Sequence, residues 1–325
     1  MGARAFVKVL LRRLATESDF VLSRRGRSDL AIFHEFHAPP YGGGNQFLLA
    51  LVGELRGRGL DVELNRLSGA TPACLYNSFN FEFSRLWRFA REGVRMVHRV
   101  DGPIGVYRGF DDGTDRRIVE INRLAAATIL QSQYSLEKHR ELGLELRNPV
   151  VIHNAVDPEI FHPPAAIEPA SGRRLRIITT SWSDNPRKGS DVLTWLDENL
   201  DVDAYELTFA GRTQQTFRRI RTVGPLASAP LADLLRAHDA YLAPSLDDPC
   251  SNALLEGLAC GLPAAFRRSG GHPELAGDGG IGFDAAEELP AVFGRLRAEL
   301  EQRRAAIRVP SLHDVAERYL QALSA

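Results

Sequence analysis

The chain has 325 residues, 44% of them apolar and 25% charged, with a formal net charge of −1. That length accommodates two domains, each with its own core, and the near-neutral balance argues against a nucleic-acid binder. Three cysteines without CxxC spacing (Cys74, Cys250, Cys260) point to a reducing compartment. No apolar run nears the ~20 residues of a membrane span, and Lys8, Arg12 and Arg13 interrupt any signal-peptide core, so a cytoplasmic protein is expected. Among 40 basic residues only Lys8, Lys138 and Lys188 are lysines, which makes each of them informative.

Residues 3–15 place Phe6, Val7, Leu10, Leu11 and Leu14 on one side of a short helix whose charges are Arg4, Lys8, Arg12 and Arg13. Such a segment either makes a peripheral contact with an anionic membrane surface or packs on the first domain. Residues 30–36 read as an apolar strand, 37–44 as the loop H-A-P-P-Y-G-G-G, 45–58 as a helix with Phe47, Leu48, Leu51, Val52 and Leu55 on one face, and 60–64 as a strand. This is a βαβ opening. Gly42, Gly43 and Gly44 at the helix start either let backbone N–H groups approach an anion or form a flexible connector. The dinucleotide fingerprint is not met, because Phe47 stands where its third glycine belongs. The strand R-M-V-H-R-V at 95–100 carries His98, Arg99 and then Asp101 toward the carboxyl end of a parallel sheet, where α/β folds bind ligands; a structural histidine is the alternative for His98. A helix opens within 111–121, a strand covers 125–131, and Ser132 caps a helix running to about 143. Residues 150–152 lead into H-N-A-V-D-P-E-I-F-H-P, which contains Asn154, and a proline-rich linker follows at 163–172.

The second half opens with a strand at 175–180, the loop S-W-S-D-N-P-R-K-G and a helix from Ser190. A polar loop entering a helix start, with Arg187 and Lys188 beside it, suits a phosphate. After a strand at 205–210 and a helix at 231–238, the apolar run 240–243 ends at Pro244-Ser245 and a loop bearing Asp247, Asp248 and Pro249. The helix at 253–260 is apolar except for Glu256 and closes on Gly261. A carboxylate buried there requires hydrogen-bond donors such as a pair of ligand hydroxyls; otherwise Glu256 faces solvent. Asp248 directly before Pro249 also fits an N-cap with proline at N1. A strand at 264–266, the loop R-R-S-G-G-H-P-E, a charged helix at 287–304 and a last helix at 312–323 complete the chain.

These motifs, in this order, resemble the retaining, nucleotide-sugar-dependent glycosyltransferases of family 4, whose α/β fold, GT-B, sets two Rossmann-like domains with parallel sheets face to face across a cleft. The resemblance rests on Asp248 and Glu256 eight residues apart with Gly-x-Pro after them, on N-A-V-D followed by F-H-P at 161–163, on Gly-Gly-x-Pro-Glu at 270–274, and on the glycines after the first strand. The chain departs from the family in having Asp248 for the usual glutamate, Ala155 for a glycine, and no Gly-Arg near Ser181-Trp182. The resemblance implies an acceptor-side domain at 1–163, a donor-side domain at 174–308, and a helix at 309–325 crossing back to the first domain. It implies catalytic roles for His98, Lys188 and Asp248. Donor binding falls to Gly42, Gly43, Gly44, Arg187, Lys188, Glu256, Gly270 and Gly271, and acceptor or sugar contact to Arg99, Asp101 and Asn154. The implied reaction is metal-independent hexosyl transfer, without a cofactor, from a UDP-, GDP- or dTDP-linked sugar. Its acceptor is a glycan, a lipid-linked compound or a small molecule, in the synthesis of cell-surface polysaccharide or glycoconjugate. A sugar-nucleotide-binding protein without transfer activity and a sugar-nucleotide epimerase are the alternatives on the same fold.

Overall fold

The computed structural model describes residues 27–38, 42–77, 86, 87, 90 and 93–325; the basic segment at 3–15 lies outside them. Strands apolar on both faces alternate with helices, the pattern that builds parallel sheets covered on both sides. Six strands form the first sheet: β1 (Leu30–Phe33), β2 (Val62–Leu64), β3 (Ala73–Asn77), β4 (Arg95–Val100), β5 (Ala127–Leu130) and β6 (Pro149–Val151), in the spatial order β2-β1-β3-β4-β5-β6. Six more form the second: β7 (Leu175–Ser181), β8 (Tyr205–Gly211), β9 (Ile220–Val223), β10 (Ala240–Ala243), β11 (Ala264–Arg267) and β12 (Gly280–Phe283), in the order β12-β11-β10-β7-β8-β9. All pairings among the described residues are parallel.

In each sheet the winding reverses once, between β1 and β3 and between β7 and β10. A crevice opens at such a reversal because the flanking connections leave in opposite directions, and ligands bind there. The loops after β1, β7 and β10 therefore decide what this molecule can hold.

The Gly43–Gly57 helix lays Phe47, Leu48, Leu51 and Leu55 on the first sheet. The Leu312–Ser324 helix joins the same core through Leu312, Val315, Ala316, Tyr319 and Leu323. At about 1.5–3 kcal/mol per fully buried large apolar side chain, that helix is an integral part of the first domain. The second core collects Leu193, Leu196, Leu207, Phe283 and Phe293. Several boundaries differ from expectation by a few residues. The first strand stops at Phe33, and the helix after it starts at Gly43 rather than Asn45, because the Asn45 side chain is occupied with the His37 backbone N–H and C=O (2.9 Å each). The charged stretch at 287–304 divides at Glu299 (φ −102°, ψ 13°) into helices Leu289–Ala298 and Leu300–Ala306.

Candidate functional site

A cleft of about 350 Å³ lies between the domains at the two reversal points. Gly42, Gly43 and Gly44 line it from the first domain; Thr180 to Ser183 and the segment Pro244–Ser245 line it from the second, with Asp248 through Ala253 beyond. Two helix starts face each other across it, that of Gly43–Gly57 and that of Asn252–Ala259. A Cβ on Gly43 would stand 2.6 Å from the Asn252 side chain, so the absence of a side chain permits this approach. Free N–H groups and the positive ends of both helix dipoles thus converge on the cleft. The helix start expected to carry a phosphate, at Ser190, is not part of the cleft wall; of the basic pair before it, only Lys188 reaches the wall.

Lys188 Nζ lies 2.6 Å from Asp248 Oδ2 and 5.0 Å from the centre of the Tyr107 ring. Burial disfavours the ammonium, but the Asp248 carboxylate and the Tyr107 hydroxyl together outweigh it and hold the Lys188 pKa above its ordinary value. Burial likewise disfavours the Asp248 carboxylate, yet Lys188, then His272, keep its pKa below the ordinary value. Both groups are therefore charged at neutral pH, with 24% of the lysine side chain left accessible. Asp248 is not the helix cap. Ser251 is, accepting from Leu254 N–H (3.3 Å), since two more residues intervene before the backbone turns helical. Arg187 points away from the cleft to Asp247, whose other oxygen accepts from the Tyr134 hydroxyl (2.8 Å).

Glu256 faces the cleft from the second turn of its helix and is 8% exposed. Its carboxyl group makes no hydrogen bond and no ion pair among the described residues, and burial alone pushes its pKa up to about 8. Nearby, Ser245 Oγ is 3.1 Å from His272 Nε2, and His272 Nδ1 is 3.1 Å from the Arg267 carbonyl oxygen.

Other expected contacts are placed elsewhere. On β4 successive side chains alternate between faces. His98 therefore points under the sheet, stacked on Tyr76 at 4.3 Å with Nδ1 3.0 Å from Asn122 Nδ2. It is wholly buried and absent from the cleft wall; burial, reinforced by His139, lowers its pKa to about 3. Arg99 points to the opposite face and is also fully buried. It donates to Asn77 (2.7 Å), Asp101 and Asn154 (3.0 Å each) and Tyr319 (3.2 Å). Asn154 in turn donates to Asn252 Oδ1 at 3.1 Å. Arg99 and Asn154 thus tie the first sheet, the last helix and the second domain together without touching the cleft, whereas Asp101, the first residue past β4, lines it. Gly270 and Gly271 also miss the cleft wall. They pack on the backbone of Asp248 and Pro249, with Gly271 N–H donating to the Asp248 carbonyl at 2.9 Å, and so support that loop from behind.

Sequence reasoning did not single out Ser245, Tyr107 or Asn252 as cleft residues, nor Glu274 as a bridge. The Glu274 carboxylate accepts from the backbone N–H groups of Gln133 (2.8 Å) and Tyr134 (2.7 Å), at the start of the Gln133–Glu141 helix in the other domain. His153 Nε2 is 3.1 Å from it. Ser132 caps the same helix, accepting from Ser135 N–H (3.0 Å). Among the described residues, no three His, Cys, Asp or Glu side chains are grouped to hold a metal, and no helix is long and apolar enough to cross a membrane.

The arrangement has solved counterparts. Sucrose-phosphate synthase from Thermosynechococcus elongatus superposes with a TM-score of 0.65 over 92% of this chain and 95% of its own, at 16% identity. The fold is GT-B. The catalytic domain of starch synthase IV from Arabidopsis thaliana, bound to ADP and acarbose, shares the GT-B arrangement with a TM-score of 0.70 over 91% of this chain and 99% of its own, at 12% identity. HepE of Anabaena in complex with UDP gives 0.61 over 92% and 96%, at 16% identity. Residues 188–298, from Lys188 through the Leu289–Ala298 helix of the second GT-B domain, match the family model described as glycosyl transferases group 1. Among curated protein sequences, none matches the chain.

Proposed function

We propose that this protein is a glycosyltransferase that takes its sugar from a nucleotide-sugar donor held in the cleft. The observation that carries the proposal is Glu256, a carboxyl group buried in the cleft wall without a partner among the described residues. Two vicinal ribose hydroxyls supply the donors it lacks, and such charge-assisted bonds are worth about 1.5–3 kcal/mol each. With the ribose at Glu256, the diphosphate falls at the facing helix starts of Gly43 and Asn252, beside Lys188. Support comes from the group 1 family match over 188–298 and from GT-B structures that hold UDP and ADP.

In the reaction the bond from the anomeric carbon to the diphosphate breaks and negative charge grows on the leaving oxygen. Lys188 and the backbone N–H groups of Gly43 and Gly44 stabilise that charge more in the transition state than in the ground state. Asp248 keeps the lysine charged and fixed. The acceptor hydroxyl approaches from the first-domain side past Asp101 and attacks the same face that the diphosphate leaves, one of whose oxygens takes the proton; the anomeric configuration is retained and no metal is required. The acceptor is a glycan, a lipid-linked compound or a small molecule. Incubation with UDP-, ADP-, GDP- and dTDP-hexoses tests the proposal. Donor consumption with a retained anomeric linkage in the product supports it. Nucleotide binding without turnover on any acceptor would make the protein a sugar-nucleotide binder instead.

A further inference from the structure

The hydrogen-bond polarity of one cleft residue is fixed by the atoms behind it. His272 is wholly buried, and its Nδ1 faces the backbone carbonyl of Arg267 at 3.1 Å. A carbonyl oxygen only accepts, so Nδ1 carries the ring hydrogen. Burial holds the His272 pKa below its ordinary value; of its charged neighbours Asp248 opposes this and Lys188 adds to it. The ring is therefore neutral, and Nε2 is a bare lone pair. Ser245 Oγ, 3.1 Å from that nitrogen, must donate to it. Ser245 lines the cleft beside Asp248, so the hydroxyl turns only lone pairs toward a ligand.

We infer that Ser245 is a specificity-determining contact that accepts a hydrogen bond from a hydroxyl of the donor's sugar, with His272 as the positioning residue that withholds the serine hydrogen from the diphosphate. The inference rests on the cleft being a nucleotide-sugar site. At neutral pH the diphosphate oxygens carry no hydrogens, so an oxygen with only lone pairs to offer repels them and attracts sugar hydroxyls. A serine free to rotate would serve either group; the bond to His272 removes that choice. Without the His272 acceptor, the same side chain would be as well suited to phosphate as to sugar.

The test compares calorimetric affinities for UDP and UDP-glucose, ADP and ADP-glucose, and GDP and GDP-mannose. Ser245→Ala should weaken the nucleotide sugar about three- to tenfold, as loss of one neutral hydrogen bond does, and leave the matching nucleoside diphosphate within twofold. His272→Leu, which frees the serine hydrogen, should strengthen the nucleoside diphosphate relative to the nucleotide sugar, and in the Ser245→Ala background it should change neither further. His272→Gln, which restores an acceptor, should recover part of the wild-type difference between the two; a purely structural role for His272 would move diphosphate and nucleotide sugar together. One deoxy-sugar donor should bind the wild type and Ser245→Ala equally. Equal losses for diphosphate and nucleotide sugar in Ser245→Ala, or no loss in either, overturn the inference while leaving the reading of the cleft intact. A wild type that binds none of the six compounds overturns that reading itself.

Discussion

Donor binding should be coupled to proton release from Glu256. In the empty cleft its pKa is about 8, so at pH 7 roughly 0.9 of the molecules carry the proton. Accepting two ribose hydroxyls requires the ionised form, and bonds to that form lower the pKa. Each binding event at pH 7 therefore releases about 0.9 proton, and affinity should rise close to tenfold per pH unit up to about pH 8. The sign for stability is the reverse. A carboxyl group whose folded pKa is raised stabilises the fold below its ordinary value of 4.5, and that contribution is lost as pH climbs through about 8. The span corresponds to roughly 5 kcal/mol at ~1.36 kcal/mol per pH unit, so the unliganded protein should melt progressively lower from pH 5 to pH 8, and Glu256→Gln should flatten that slope. Titration calorimetry with nucleoside diphosphate in buffers of different ionisation enthalpy measures the released proton directly. A binding enthalpy independent of buffer, or a folded Glu256→Gln variant with unchanged affinity, would refute the reasoning.

Lys188→Ala should lower kcat by about 10²–10³ with a smaller change in KM. Because Asp248 is then buried without its partner, the variant should also lose about 3 kcal/mol of stability, which adding Asp248→Asn largely restores in thermal unfolding without restoring turnover. Glu274→Ala frees the two N–H groups of Gln133 and Tyr134, so small-angle scattering should show a larger radius of gyration in the unliganded variant, and an unchanged profile would mean that other contacts hold the domains. In Gly257→Ala the new Cβ would lie 2.6 Å from the Tyr241 ring; overpacking of this kind costs about 1–3 kcal/mol, and a urea midpoint equal to that of the wild type would show that helix and strand can part.

The fold was legible where periodicity was clean. The apolar run Leu30–Phe33, the face of the Gly43–Gly57 helix, and Gly261 with its positive φ of 82° follow from local chemistry. The strand A-C-L-Y-N at β3 and the glycine-bearing G-I-G-F of β12 carry no alternation and weak propensity, and tertiary burial alone makes them strands. The break at Glu299 is invisible because the charge pattern runs through it unaltered. Of the cleft-lining residues, Lys188, Asp248 and Glu256 stand out in the sequence because each is a charge in a setting that tolerates few. His98 and Arg99 lie outside the cleft wall: a polar residue near a strand end reads as a ligand contact, and only the pleat shows that it points into the sheet's own packing. Asn154, in the loop after β6, is instead taken up by Arg99 and Asn252. Ser245 gave no signal, since its partner lies 27 residues further along the chain.

The Leu312–Ser324 helix reverses the order in which the molecule becomes complete. The second sheet and its helices come from one uninterrupted stretch, 175–306, and can close as soon as that stretch is made. The first domain, although translated earlier, lacks Val315, Tyr319 and Leu323 until the stretch after the second domain has left the ribosome. Until then the buried guanidinium of Arg99 has no Tyr319 hydroxyl, and the flank of the Gly43–Gly57 helix meets water in place of its partner. Domains usually mature from the amino terminus onward during synthesis; here the first domain must wait for a helix that is made after the second.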